Sequence, residues 1–134
     1  MTTEERKSAN RMIAEKIEGA KVREDSNEFS TLFVIDAGIP RTDYFSLYSS
    51  TPEGAWDELT IDYFADEQAC WRAKDALLMG MILAENGRGF HVYLGNPTFT
   101  GTAFHPEITS EIEGHGTSRA EAVATALYEY AKTL

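Results

Sequence analysis

Apolar positions along the chain fall into runs of helical and of extended period, and these runs divide it into elements. Thr2-x-x-Glu5 is a capping box. Ala9, Met12, Ile13, Ile17 and Ala20 follow it as an apolar stripe, which predicts a first helix that weakens at Gly19. The strongest pattern lies in residues 66–95. Asp66 can cap a helix, and Ala69, Cys70, Ala73, Leu77, Gly80, Met81 and Ala84 recur at i, i+3, i+4 and i+7 spacing. Trp71, Leu78 and Ile82 add a second apolar row, and residues 77–83 are all apolar or glycine, which predicts a long central helix covered all round. Asn86-Gly87 would stop it, because both residues tolerate the left-handed conformation of a helix end. Phe90, Val92 and Leu94 then alternate with His91 and Tyr93, the period of a half-buried strand. Leu77, Met81 and Val92 are expected in the core.

The rest of the chain reads more simply. Residues 22–28 are polar and turn-like, with a short strand near Val22, and TLFVID (31–36) is a β-branched, aromatic strand. A loop at 37–43 holds Gly38 and Pro40, and 44–48 form another strand. Thr51-Pro52-Glu53 opens a short helix carrying Ala55, Trp56 and Leu59. Asn96-Pro97 marks a turn, 98–104 a strand broken by Gly101, and 107–113 a strand with Ile108, Ser110 and Ile112 on one face. Gly114-His115-Gly116 reads as a flexible turn. Ser118-x-x-Glu121 is a second capping box, and Val123, Ala126, Leu127, Tyr130 and Leu134 line a terminal helix. The order predicts one α+β domain over 1–134: a mainly antiparallel sheet sandwiched by an N-terminal helix, a long central helix and a C-terminal helix.

Charge changes the picture more than composition does. The net charge is −10, and residues 22–71 carry eleven carboxylates against Arg23 and Arg41, while 1–21 are at +1 and 72–134 at −2. A phosphate-neutralising surface needs a basic stripe and none is present, so direct nucleic-acid binding is not expected. An acidic middle fits a basic protein partner or plain solvation. At 134 residues the chain can build a core without staples, and its lone cysteine, Cys70, lies on the apolar face of its helix as a small hydrophobe. No apolar run approaches a membrane span and the N-terminus shows no signal-peptide pattern, so the expected location is the cytoplasm.

Catalytic signatures are lacking. There is no G-x-S-x-G, H-E-x-x-H or P-loop, and Gly87-Arg88-Gly89 is a turn rather than a phosphate fingerprint. The histidines are His91, His105 and His115, and the close pair His105–Glu107 matches no metal-ligand spacing, so no metal, cofactor or enzymatic activity is expected. Two binding features stand out. The acidic-aromatic stretch with Trp56, Asp57, Glu58, Asp62, Asp66 and Glu67, together with Glu53, Tyr63 and Phe64, could dock on a basic groove with Trp56 as anchor. The glycine-rich turn into the last helix gathers His115, Thr117, Ser118 and Arg119, with Arg88, as a candidate anion site of backbone N–H groups, hydroxyls and guanidinium. A solvated acidic face and ordinary helix capping are the plain alternatives.

The helix at Ala55-Trp56, the segment from Gly87 to Gly95, and the closing residues Gly116, Ser118, Ala120, Glu121, Ala122, Ala126 and Leu127 resemble the small phage ABA-sandwich proteins over the second half of the chain. The last strand and helix are also similar to the HicB-type antitoxin domain, although the DNA-binding segment of that family has no counterpart here. The phage resemblance implies a non-enzymatic phage or prophage accessory protein that binds and inhibits a bacterial host or defence component. A second option is a sponge that sequesters a cyclic or ADP-ribose-type nucleotide signal, and a third is a HicB-like antitoxin. The implied partners are a host protein or complex with a basic surface, or a small anionic nucleotide, in the host cytoplasm, with self-association left open.

Overall fold

The structure, a computed structural model, describes residues 1–36, 48–59, 61–95, 97–99, 106–108 and 112–134. Contacts cluster into two units, Met1–Asp62 and Tyr63–Leu134. Helices alternate with antiparallel pairings throughout, so the chain is α+β.

The first unit opens with α1 (Thr3–Lys16), where the Thr2 hydroxyl accepts from the Glu5 amide at 3.1 Å. Ala9, Ile13 and Ala14 are fully buried, and the chain leaves the helix through Gly19 at φ +75°. Strand β1 (Lys21–Ser26) pairs antiparallel with β2 (Thr31–Asp36), Val22 opposite Ile35 and Ser26 opposite Thr31. The single expected strand at 31–36 therefore gains a full-length partner from the segment read as mostly turn. Val34 and Ile35 fill the core, and Phe33 bridges to Ser49 through two 2.8 Å backbone bonds. Helix α2 (Pro52–Asp57) starts as read, capped by Thr51, with Ala55 and Trp56 buried, but ends before Leu59, expected within it. The expected loop at 37–43, and the expected strand at 44–48 except Tyr48, lie outside the described residues.

The second unit corrects the sequence reading at its strongest point. Helix α3 (Glu67–Ala76) starts on the Asp66 cap but ends after ten residues, with Leu77 already extended at ψ 125°. The chain then forms β3 (Gly80–Glu85), not the second half of a long helix. An all-apolar run satisfies the helical and the extended period alike, so local pattern cannot arbitrate. Pairing decides: β3 lies antiparallel to β4 (Phe90–Gly95), Met81 opposite Leu94 and Leu83 opposite Val92. Gly80 also disfavours helix by about 1 kcal/mol. Asn86-Gly87 is accordingly a hairpin turn, closed by the Asn86 amide donating to the Gly89 carbonyl at 3.1 Å, with Gly87 at φ +75° and Gly89 at φ +154°. Of the three residues expected in the core, only Val92 is buried, while Leu77 and Met81 are half-buried. Leu78 is 97% exposed.

The second correction is at Gly114-His115-Gly116, which is strand rather than turn. Strand β5 (Pro97–Phe99) pairs with β6 (Pro106–Ile108), and β7 (Ile112–Gly116) joins β4 to give the three-stranded order β3-β4-β7. Residues 100–105 and 109–111, His105 among them, lie outside the described residues. Helix α4 (Arg119–Ala131) packs along β7, its Ser118 cap accepting from the Glu121 amide at 3.1 Å. Val92, Leu94, Val123 and Leu127 are each at most 1% exposed between helix and sheet. The glycines make this contact close: a Cβ on Gly116 would stand 2.5 Å from the Ala122 nitrogen, and one on Gly114 would strike the Ala122 carbonyl and the Ala126 amide. Cys70 is fully buried where α3 meets α4, its thiol donating to the Tyr63 carbonyl at 2.7 Å and standing 3.5 Å from that of Ala120.

Candidate functional site

In the first unit, α1 turns its bases toward acids in and just after α2. Arg6 grips Asp62 with two guanidinium nitrogens, at 3.0 and 2.6 Å, and Asn10 donates to the same carboxylate at 3.1 Å. Arg11 pairs with Glu53 at 2.9 Å, and Lys7 stands 3.6 Å from Asp57. Trp56 is 8% exposed, with the Arg11 guanidinium 4.7 Å above its ring. Its place is therefore in the core, not on the surface where a docking anchor would stand. Asp57 and Glu58 remain exposed. The acidic stretch has much of its charge met by the helix that precedes it, and this local pairing is invisible to a count of charges along the chain.

The acids left facing solvent on β1 and its turn include three that sequence reading passed over. Glu24, Asp25 and Glu28 are exposed around the β1–β2 turn, which holds Phe29 at its tip, 92% exposed. The turn is built by Asn27, whose side-chain oxygen accepts from the amides of Phe29 and Ser30 at 2.8 and 2.9 Å. Leu32 and Tyr48 add exposed apolar surface, and the Tyr48 hydroxyl donates to Asp25 at 2.9 Å. Arg23 lies 3.4 Å from Asp25 and 3.3 Å from Asp36, and its pKa is raised, first by the Tyr48 hydroxyl and then by Asp25. The guanidinium links carboxylates on both strands of the hairpin.

In the second unit, Asp66 and Glu67 serve α3 and its surroundings. Asp66 accepts from the Ala69 amide at 3.2 Å; Glu67 accepts from the Trp71 indole and stands 3.3 Å from Arg119. Arg119 is thereby turned to a carboxylate. Ser118 is used as the helix cap, and Thr117 donates to the Glu121 carboxylate at 3.1 Å. His115, Thr117 and Arg88 do line one shallow hollow together with Asn86, Phe90 and Glu121. The five residues expected to hold an anion are therefore divided, and the hollow that three of them share contains a carboxylate.

The strand register brings together a group that sequence spacing did not reveal. The face of the β3-β4-β7 sheet opposite α4 carries His91 and Tyr93 from β4 and Glu113 and His115 from β7, with His91 directly opposite His115. The two imidazoles have centroids 3.7 Å apart, and His91 stacks on Tyr93 at 4.3 Å with the rings within 8° of parallel. One ligand-capable atom from each of His91, Glu113 and His115 lies within 4.8 Å of the other two. His91 Nε2 is 3.5 Å from a Glu113 carboxylate oxygen, yet it is buried and makes no hydrogen bond among the described residues. The separation is an ion-pair distance but long for a hydrogen bond. Period-2 alternation put His91 on one face of its strand, but its neighbours depended on reading 114–116 as strand.

Comparison with known protein families, with characterised proteins and with solved structures returns no match for this chain. Among the described residues, no helix is long and apolar enough to cross a membrane.

Proposed function

We propose that this is a non-enzymatic binding protein that docks on a basic surface of a host protein and inhibits it, in the manner of a phage accessory factor directed at a defence component. The observation that carries the reading is Phe29, 92% exposed on a turn pinned by Asn27. An aromatic ring held out to solvent by a rigid turn loses little entropy on burial and is suited to anchoring an interface. Glu24, Asp25 and Glu28 surround it, so the complementary partner presents an apolar pocket rimmed by lysine or arginine. The hairpin thus takes the anchoring role that the charge pattern gives to Trp56, because Trp56 is buried whereas Phe29 stands exposed among acids.

The test is quantitative affinity capture from bacterial lysate with the wild-type chain, Phe29→Ser and the triple variant Glu24→Gln, Asp25→Asn, Glu28→Gln. A specific partner should be depleted in both variants, and its capture by wild type should weaken as salt rises. A partner retained equally by all three proteins refutes the hairpin reading.

The anion sponge is not favoured. Arg119 faces Glu67 and the hollow near His115 contains Glu121, so an incoming phosphate meets a carboxylate there.

A further inference from the structure

The geometry points to a divalent transition-metal site of the zinc class on the face of the β3-β4-β7 sheet opposite α4, with His91, Glu113 and His115 as ligands, and we propose it as such. Three observations combine. The first is proximity imposed by register: His91 and His115 are cross-strand partners, and Glu113 sits two residues before His115 on the same face. Backbone geometry alone holds opposite side chains about 5 Å apart and the diagonal His91–Glu113 pair about 7–8 Å apart, within reach of long side chains.

The second is the spacing of donor atoms. A tetrahedral ion with bonds of about 2.0–2.1 Å to nitrogen and oxygen sets its ligand atoms about 3.4 Å apart. His91 Nε2 and the Glu113 carboxylate oxygen stand 3.5 Å apart. All three ligand atoms fall within 4.8 Å, and the two ligands that would close the remaining gap, Glu113 and His115, are the exposed ones. Being exposed, these two side chains can change rotamer, which is the motion the ion would require.

The third is the unmet lone pair or proton at His91 Nε2. A buried imidazole nitrogen without a partner is costly, and here it stands 3.5 Å from the carboxylate oxygen yet is bonded to nothing among the described residues. A cation between the two would satisfy both. Tyr93, stacked flat on His91, fixes the ring so that it is aligned before the ion arrives.

The donor set selects the ion. Two imidazole nitrogens and one carboxylate suit zinc, nickel or copper, whereas magnesium and calcium take oxygen ligands. Three ligands from one sheet face leave at least one coordination position open to water or to a donor from another molecule. This site does not depend on the hairpin proposal: it lies in the other unit and uses none of its residues.

The probe is Zn²⁺ itself, titrated calorimetrically into the purified full chain freed of metal by chelator, with Co²⁺ absorption as a reporter of coordination. One ion per chain is expected, with a Co²⁺ spectrum of tetrahedral intensity and no comparable uptake of Mg²⁺. His115→Ala and Glu113→Gln change exposed groups and should fold as wild type, checked by circular dichroism. Each should weaken zinc by more than the 10–100-fold typical for loss of a residue that only supports a ligand. His91→Gln should do the same. Zinc uptake that is absent or sub-stoichiometric in the wild-type chain overturns the proposal. So does uptake that persists unchanged in the His115→Ala, Glu113→Gln double variant.

Discussion

Replacing Gly114 by alanine tests how the second unit is held together. A methyl group there would stand 2.9 Å from the Ala126 Cβ and nearer still to the Ala122 carbonyl oxygen and the Ala126 amide nitrogen. Carbon atoms pack best at about 3.5–4.0 Å, so α4 must retreat from β7 by roughly 0.6–1 Å. The obstacles are helix backbone, which cannot rotate aside as a side chain could. A gap of that size forfeits about a quarter to a half of each contact across it. Leu127 and Val123 are the largest side chains that α4 buries completely or nearly so. A buried leucine gains on the order of 6 kcal/mol of gross dispersion, so a quarter lost over these two amounts to about 3 kcal/mol. Against this, alanine is favoured over glycine within a strand by about 0.5–1 kcal/mol. The expected net loss is about 2 kcal/mol, within the usual range for an overpacked core. Urea unfolding followed by far-UV circular dichroism reads it directly as a fall in midpoint at constant slope. Gly116→Ala meets the Ala122 nitrogen at 2.5 Å and should cost a similar amount. Because one retreat of the helix serves both methyl groups, the double variant should lose clearly less than the sum. A loss below about 0.5 kcal/mol for Gly114→Ala, or strict additivity of the pair, would show that α4 does not lie on β7 as described.

Other outcomes follow from the same structure. Leu127→Ala should cost about 2–5 kcal/mol, whereas Leu78→Ala, at a position 97% exposed, should stay within about 0.5 kcal/mol; equal losses would restore the long central helix. Cys70, fully buried, should resist an aromatic disulfide reagent in native buffer and react at once in denaturant; rapid labelling of the folded chain would place it at the surface. Asp62→Asn removes the charge that Arg6 grips, but both side chains are about 40% exposed, so a loss of only about 0.5–1 kcal/mol is expected by thermal unfolding. Phe29→Ser should leave stability within about 0.5 kcal/mol while altering partner capture, which separates a binding role from a structural one.

What the sequence determined by itself was set by short-range physics. The three caps at Thr2, Thr51 and Asp66, and the fourth at Ser118, all accept the amide three residues on, as the hydroxyl or carboxylate spacing demanded. The strand at 31–36, the alternation of 90–94 and, in α4, the buried Val123, Ala126 and Leu127 were likewise legible, whereas Tyr130 is half-buried and Leu134 lies exposed beyond the helix. The α+β class followed from these.

Tertiary structure decided the rest where local preference was degenerate. Residues 77–83 could satisfy either period; the β4 ladder made 80–83 sheet, and 77–79 turn the chain out of α3. Gly114 and Gly116 carry the mark of a turn, yet they are strand through pairing with β4, and α4 lies against them too closely for any Cβ. The acids at 53, 57 and 62 look like a free surface along the chain, and become ion pairs only when α1 folds back over them. His91 and His115 are 24 residues apart in the sequence and face each other through one register. A chain written in order conveys what each residue prefers alone. It does not convey which neighbour will satisfy a carboxylate, exclude a methyl group or share an ion, because those free energies belong to pairs that only the fold brings together.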